Sequence, residues 1–111
     1  MSKRTWRFFV EDISKSCEKI LKYTKDGSLN NFVSNDMAYD AVVRNLEIIG
    51  EAVSRILKID SSIDISDSRR IVDLRNWVIH GYDKVDNVII WGILSKDIPK
   101  LKDQVNSLLE K

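Results

Sequence analysis

Apolar residues recur every three or four positions through most of the chain, the period of α-helices seated on a core. In the first stretch, roughly 5–26, Phe9, Ile13, Cys17, Ile20 and Leu21 share a face, and Gly27 stands where a C′ residue would close the helix. Ser28 is placed to cap a short turn around Phe32 and Val33, and Asn35 or Asp36 to cap the next helix. Over about 37–58 the two faces separate most cleanly. Ala38, Ala41, Val42, Leu46, Ile49, Val53 and Ile56 point one way, and Asp40, Arg44, Glu47, Glu51 and Arg55 the other. Arg44, Glu47, Glu51 and Arg55 mix signs at helical spacing and are expected to pair with one another. Ser61 and Ser62, then Ser66-Asp67-Ser68, bracket a short loop, and the second group is expected to cap a helix of about 67–80. Asp86 is in position to cap the last helix.

In that last segment Trp91, Leu94, Ile98, Leu101, Val105 and Leu108 alternate spacings of three and four, and the stripe continues past Pro99, which falls off it. The expectation is one long helix with a kink at Pro99. One proline and four glycines are too few for the turns of an all-β fold. The pattern as a whole predicts an all-α, antiparallel bundle of four main helices in a single domain spanning 1–111.

Composition narrows the function. Charged residues make up 32% and hydrophobic ones 43%, as in globular proteins, and the net charge of +1 means that any contact with nucleic acid must come from local patches. The lone Cys17 excludes an intrachain disulfide, fits a reducing cytoplasm and is expected to be inert core. One cysteine and one histidine rule out a Cys/His zinc site within one chain, and no metal or other cofactor is expected. The basic start, Lys3, Arg4 and Arg7 around Trp6, is followed by mixed charge and does not read as a secretory signal. No apolar run approaches the roughly 18 residues of a membrane span, so a cytoplasmic protein is expected. Lys15, Lys19 and Lys22 form a basic row on the first helix, read mainly as a solvated face.

The helix of 67–80 differs from the others. At about 100° per residue, Ile71, Leu74 and Val78 make one stripe for the core, Val72 and Ile79 project to another side, and Trp77 to a third. A helix apolar nearly all round is covered on more than one side, which in so small a bundle points to a second copy of the chain, a homodimer, the alternative being a central helix buried wholly within its own monomer.

The same segment holds the candidate chemistry: Arg75-Asn76-Trp77-Val78-Ile79-His80-Gly81-Tyr82. His80 is the only histidine, one residue before a glycine that suits a helix end. Arg75 and His80 are about 140° apart on a regular helix, with Asn76 nearly on the His80 face. A two-fold interface on the Val72/Ile79 side would gather two Arg75 and two His80 in one cleft. Cleaving RNA without a metal needs a base for the 2′-oxygen and an acid for the leaving 5′-oxygen, and two chains supply two histidines. Arg75 would clamp the phosphate through its planar fork of donors. The negative end of the helix dipole favours an imidazolium at His80. On residue chemistry alone each role has a plainer counterpart. His80 would cap carbonyls, Arg75 would pair with Glu47 or Glu51, and Asn76 would be a satisfied polar group. Tyr82 either packs back on Trp77 or stands beside the cleft, open to modification.

The run Arg75 to Tyr82 resembles the Arg-x4-His-x-Tyr motif of HepT-type HEPN ribonuclease toxins. Val42-Val43-Arg44-Asn45-Leu46-Glu47-Ile48-Ile49-Gly50-Glu51-Ala52 is similar to that family's other well-marked block, and Val85-Asp86, Trp91 and Asp97-Ile98-Pro99-Lys100-Leu101 to its C-terminal helix. Together they cover most of residues 8–108. The resemblance implies an all-α homodimer whose composite cleft, lined by Arg75 and His80 with Asn76 in support, cuts RNA as a metal-independent endoribonuclease. It also implies a partner, a minimal nucleotidyltransferase (MNT) antitoxin, which attaches AMP to Tyr82 and silences the toxin. The segment Lys58 to Asp67 is shorter than the family pattern, which bears on the cleft rim and on partner docking. The competing class is a non-catalytic subunit in which Arg75 and His80 grip a nucleotide or substrate for a separate nucleotidyltransferase. A third is a helical dimerisation module in which both residues are structural.

Overall fold

The computed structural model describes residues 3–24, 27, 29–79 and 87–110. All described regular structure is helical: α1 (Lys3–Thr24), α2 (Leu29–Ser34), α3 (Asp36–Ile59), a 3₁₀ turn (Ser66–Ser68), α4 (Arg69–Ile79), α5 (Asn87–Gly92), a π turn (Ile93–Asp97) and α6 (Ile98–Leu109). The main helices are α1, α3, α4 and the run α5 to α6, so the expected all-α bundle is the fold. Cross-links fix the antiparallel order of α1 and α6. Arg7 Nη2 donates to the Leu109 carbonyl at 2.6 Å, Ser14 Oγ to Asn106 Oδ1 at 3.0 Å, and Lys102 pairs with Glu18 at 3.7 Å.

Each helix buries the stripe its spacing provides. Val10, Ile13, Cys17 and Ile20 of α1 meet Leu46, Ile49, Val53 and Ile56 of α3, with Ile71 and Leu74 of α4 and Leu94, Ile98, Leu101 and Val105 from the C-terminal run in the same core. Removing each large aliphatic side chain from water contributes about 1.5–3 kcal/mol. On α1 the stripe is centred one residue from expectation, with Val10 fully buried and Phe9 half-buried against the core. Asn45, like Ser16 and Ser68, is a buried polar residue the pattern did not foretell; its Nδ2 donates to the Ala41 carbonyl at 2.8 Å, and its Oδ1 has no partner among the described residues.

Helix ends show where local signals hold and where they fail. Asn35 caps α3 as expected, its Oδ1 accepting from Ala38 N at 3.1 Å. Gly27 does not close α1. The helix ends at Thr24, whose hydroxyl donates to the Ile20 carbonyl at 3.1 Å, and Gly27, outside the left-handed region, donates its N–H to Thr24 O at 3.1 Å. The 66–68 serines do not supply the cap of α4 either. Asp64 Oδ1 accepts from Ser66 N at 3.1 Å, and Gln104 Oε1 reaches across from α6 to accept from Asp67 N at 3.0 Å. Ser28 and Asp86, the other expected caps, lie outside the described residues.

Pro99 does not kink a regular helix. It sits in the first turn of α6, and the turn before it widens so that Ile98 N–H bonds Ile93 O, five residues back. Proline has no N–H to offer, and its ring would crowd the Ser95 carbonyl of a tight α-turn. Ser95 Oγ meanwhile donates to the Trp91 carbonyl. Ahead of this turn Trp91 packs on Phe32, with ring centroids 5.7 Å apart, and Phe32 on Tyr39 at the same distance, which ties α5, α2 and α3 together. Among the described residues no helix is long and apolar enough to cross a membrane.

Candidate functional site

Arg75 leaves α4 toward α3, and its side chain lies where a side chain at position 50 would begin. A Cβ at Gly50 would lie 2.9 Å from Arg75 Nε and 3.2 Å from its Cδ and Cζ. Arg75 therefore lies across a notch in α3. Its Nη1 donates to Asn76 Oδ1 at 2.7 Å, while its Nε is buried with no acceptor. The expected ion pair with Glu47 or Glu51 does not form. Glu47 sits 3.9 Å from Arg44, and Glu51 accepts from Arg55 Nε at 2.9 Å. The Arg44–Arg55 row thus pairs internally, as its spacing predicts. The hydrogen bond from Arg55, then that residue's charge, holds the Glu51 carboxyl below its ordinary value, with Arg75 contributing least.

The guanidinium lines an open cleft of about 360 Å³ with Phe9 and Asp12 of α1 and Arg44, Glu47, Ile48, Glu51 and Ala52 of α3. Two arginines face three carboxylates there. Because Glu47 and Glu51 have cationic neighbours of their own on α3, no ion pair neutralises Arg75 among the described residues. A guanidinium anchored by a neutral amide keeps its full charge for an anion. The structure thus brings Arg75 and Asn76 together. His80 and Tyr82 lie outside the described residues, and with them the distances of both to Arg75.

Other expectations can be placed. Trp77 is 48% exposed, Val72 packs half-buried against the core, and Val72, Val53 and Leu57 line a second cleft of about 390 Å³. Cys17 is fully buried, and burial pushes its thiol up to about 12, so it is inert at neutral pH. Lys15, Lys19 and Lys22 are exposed along α1. Gly50 was visible to sequence reasoning only as part of a block. The signal that marks it is a glycine in the middle of a strong helical pattern, where it costs about 1 kcal/mol relative to alanine without a packing reason.

An all-α bundle with Arg75 seated on α4, and His80 and Tyr82 following in sequence, has the build of the HEPN ribonucleases. Residues 13–108 match the family model described as HepT-like, Ribonuclease HepT-like, and the chain belongs to that family. It is similar to the "Putative RNase MJ1380" of Methanocaldococcus jannaschii, 40% identical over 107 residues that cover 95% of this chain and 97% of that one. The "Putative RNase TTE0752" of Caldanaerobacter subterraneus subsp. tengcongensis is 36% identical over 109 residues, 97% of each chain. The "Probable ribonuclease HepT" of Thermococcus cleftensis is 32% identical over 110 residues, covering 96% of this chain and 97% of that one. No solved structure matches the chain.

Proposed function

We propose that the chain is the toxin of a HEPN–MNT toxin–antitoxin pair, a metal-independent endoribonuclease acting as a homodimer. Its composite cleft would use Arg75 and His80 from both copies. One His80 takes the proton from a 2′-hydroxyl, whose oxygen attacks the adjacent phosphorus. The other His80 protonates the departing 5′-oxygen, leaving a 2′,3′-cyclic phosphate and a free 5′-hydroxyl. Arg75 holds the non-bridging oxygens and offsets their charge in the transition state, and Asn76 holds Arg75. A minimal nucleotidyltransferase antitoxin transfers AMP from ATP to the Tyr82 oxygen with release of pyrophosphate. The added phosphate competes with RNA for the same cationic groups.

The observation that carries this reading is an arginine of the motif held by a neutral amide, with no carboxylate in direct contact among the described residues, in a chain whose family is named for ribonuclease activity. The test is incubation of the unmodified chain and of His80→Ala with mixed tRNA and mRNA in excess EDTA, followed by mapping of the fragment ends. Cyclic-phosphate ends from the native chain and none from His80→Ala are expected. Cutting at full rate by His80→Ala would remove the histidine from the chemistry. A native chain of unmodified mass that binds RNA or nucleotide without cutting it would favour the non-catalytic binding subunit.

A further inference from the structure

Gly50 sits mid-helix in α3, with ordinary helical backbone and buried, so its lack of a side chain serves neither a turn nor a cap. Glycine there weakens the helix relative to alanine. What the site needs is space. The atoms a Cβ would strike are all Arg75 side-chain atoms, with Nε nearest at 2.9 Å. The nearest obstruction to a larger residue is thus a side chain and not the α4 backbone. Arg75 is flexible enough to yield, so a methyl group at position 50 would displace the guanidinium and leave the bundle standing.

We infer that Gly50 is a positioning residue for the cleavage chemistry: its missing side chain is the seat that directs the Arg75 guanidinium along α3, where Asn76 holds Nη1. This rests on Arg75 being the phosphate-holding group of the proposed reaction. Gly50 touches no substrate and acts only through Arg75. The seat also fits the buried, unpartnered Nε, which lies where a Cβ at position 50 would stand. Fixing a guanidinium at its middle, with one terminal nitrogen tied, leaves the remaining terminal nitrogen to be aimed by the fold.

The test is Gly50→Ala in the full chain, read in three ways. The first is thermal stability, expected unchanged or higher by up to roughly 4 °C, because alanine is the better helix former. The second is the Arg75 Nε–H proton–nitrogen NMR cross-peak, identified by its loss in Arg75→Lys and expected to shift. The third is single-turnover RNA cleavage, expected to fall at least about tenfold in Gly50→Ala and not at all further in Gly50→Ala/Arg75→Ala than in Arg75→Ala alone. A drop in melting temperature of several degrees, or a cross-peak that does not move, would overturn the seat. So would a further loss of activity in the Arg75→Ala background. A shifted cross-peak with undiminished cleavage would leave the seat intact and instead remove Arg75 from the proposed reaction.

Discussion

Replacing Arg75 with methionine separates a catalytic role from a structural one. Methionine keeps an unbranched chain of similar reach over the Gly50 notch but removes the charge and every donor. Two effects on stability oppose each other. The variant loses the 2.7 Å hydrogen bond from Nη1 to Asn76, about 1.5–3 kcal/mol for a charged donor. It also removes a buried Nε without a partner, a group whose burial costs about 1–3 kcal/mol. Asn76 is only half-buried, so its freed Oδ1 can turn to water. Stability should therefore change by less than about 1 kcal/mol. Activity should not be spared, since loss of a donor aimed at transition-state charge costs about 10²–10³-fold, or roughly 2.7–4 kcal/mol. Urea unfolding gives the first number, and single-turnover cleavage in EDTA the second. Loss of more than about 2 kcal/mol of stability would mean that Arg75 is a structural strut. Cleavage within threefold of the native chain would remove it from the chemistry.

Other consequences follow from contacts elsewhere. Gln104→Ala takes the acceptor from Asp67 N–H, and should lower stability by about 1 kcal/mol with an unchanged denaturant slope and faster amide exchange at Asp67; native exchange there would mean that the cap lies elsewhere. The Glu51 carboxyl is exposed and held low chiefly by the hydrogen bond from Arg55. Because its folded value is depressed, its contribution is present above the ordinary value of 4.5 and fades as pH falls through the folded value. The stability gap between the native chain and Arg55→Gln should accordingly close on acidification, and the Glu51 NMR titration midpoint should rise in the variant. A gap that widened in acid would contradict the assignment.

The helices were legible because periodicity is local: a stripe such as Val42, Leu46, Ile49, Val53 and Ile56 declares both its helix and its buried face. What escaped was decided by partners far off in sequence. The acceptor for Asp67 N–H is Gln104, 37 residues away, and no pattern around Ser66 could reveal it. Gly27 suited a helix end in type, yet Thr24 ended α1 first by turning its hydroxyl back on Ile20. At the site, spacing brought Arg75 and Asn76 into view. It predicted the pairing of Arg44, Glu47, Glu51 and Arg55 along α3, yet left Glu47 or Glu51 open as a partner of Arg75, because spacing within one helix does not show how far a side chain of another lies from it. The seat at Gly50 is a contact between two blocks 25 residues apart, and only the packed helices disclose it.

The π turn ahead of Pro99 can be regarded as a matter of chain length. A ladder that closes over five residues instead of four carries one residue more than an α-helix needs, so the sequence positions of α5 and α6 are offset by one residue, about 100°, from those of an unbroken α-helix. Deleting a single residue between Ile93 and Asp97 would restore a uniform helix. It would leave α5 and α6 in place, because the wider ladder already takes up the surplus residue, and Trp91 would stay on Phe32. The surplus residue thus lets apolar positions offset by one in sequence share one core, and homologous chains that lack it would seat the same cluster on a helix one residue shorter.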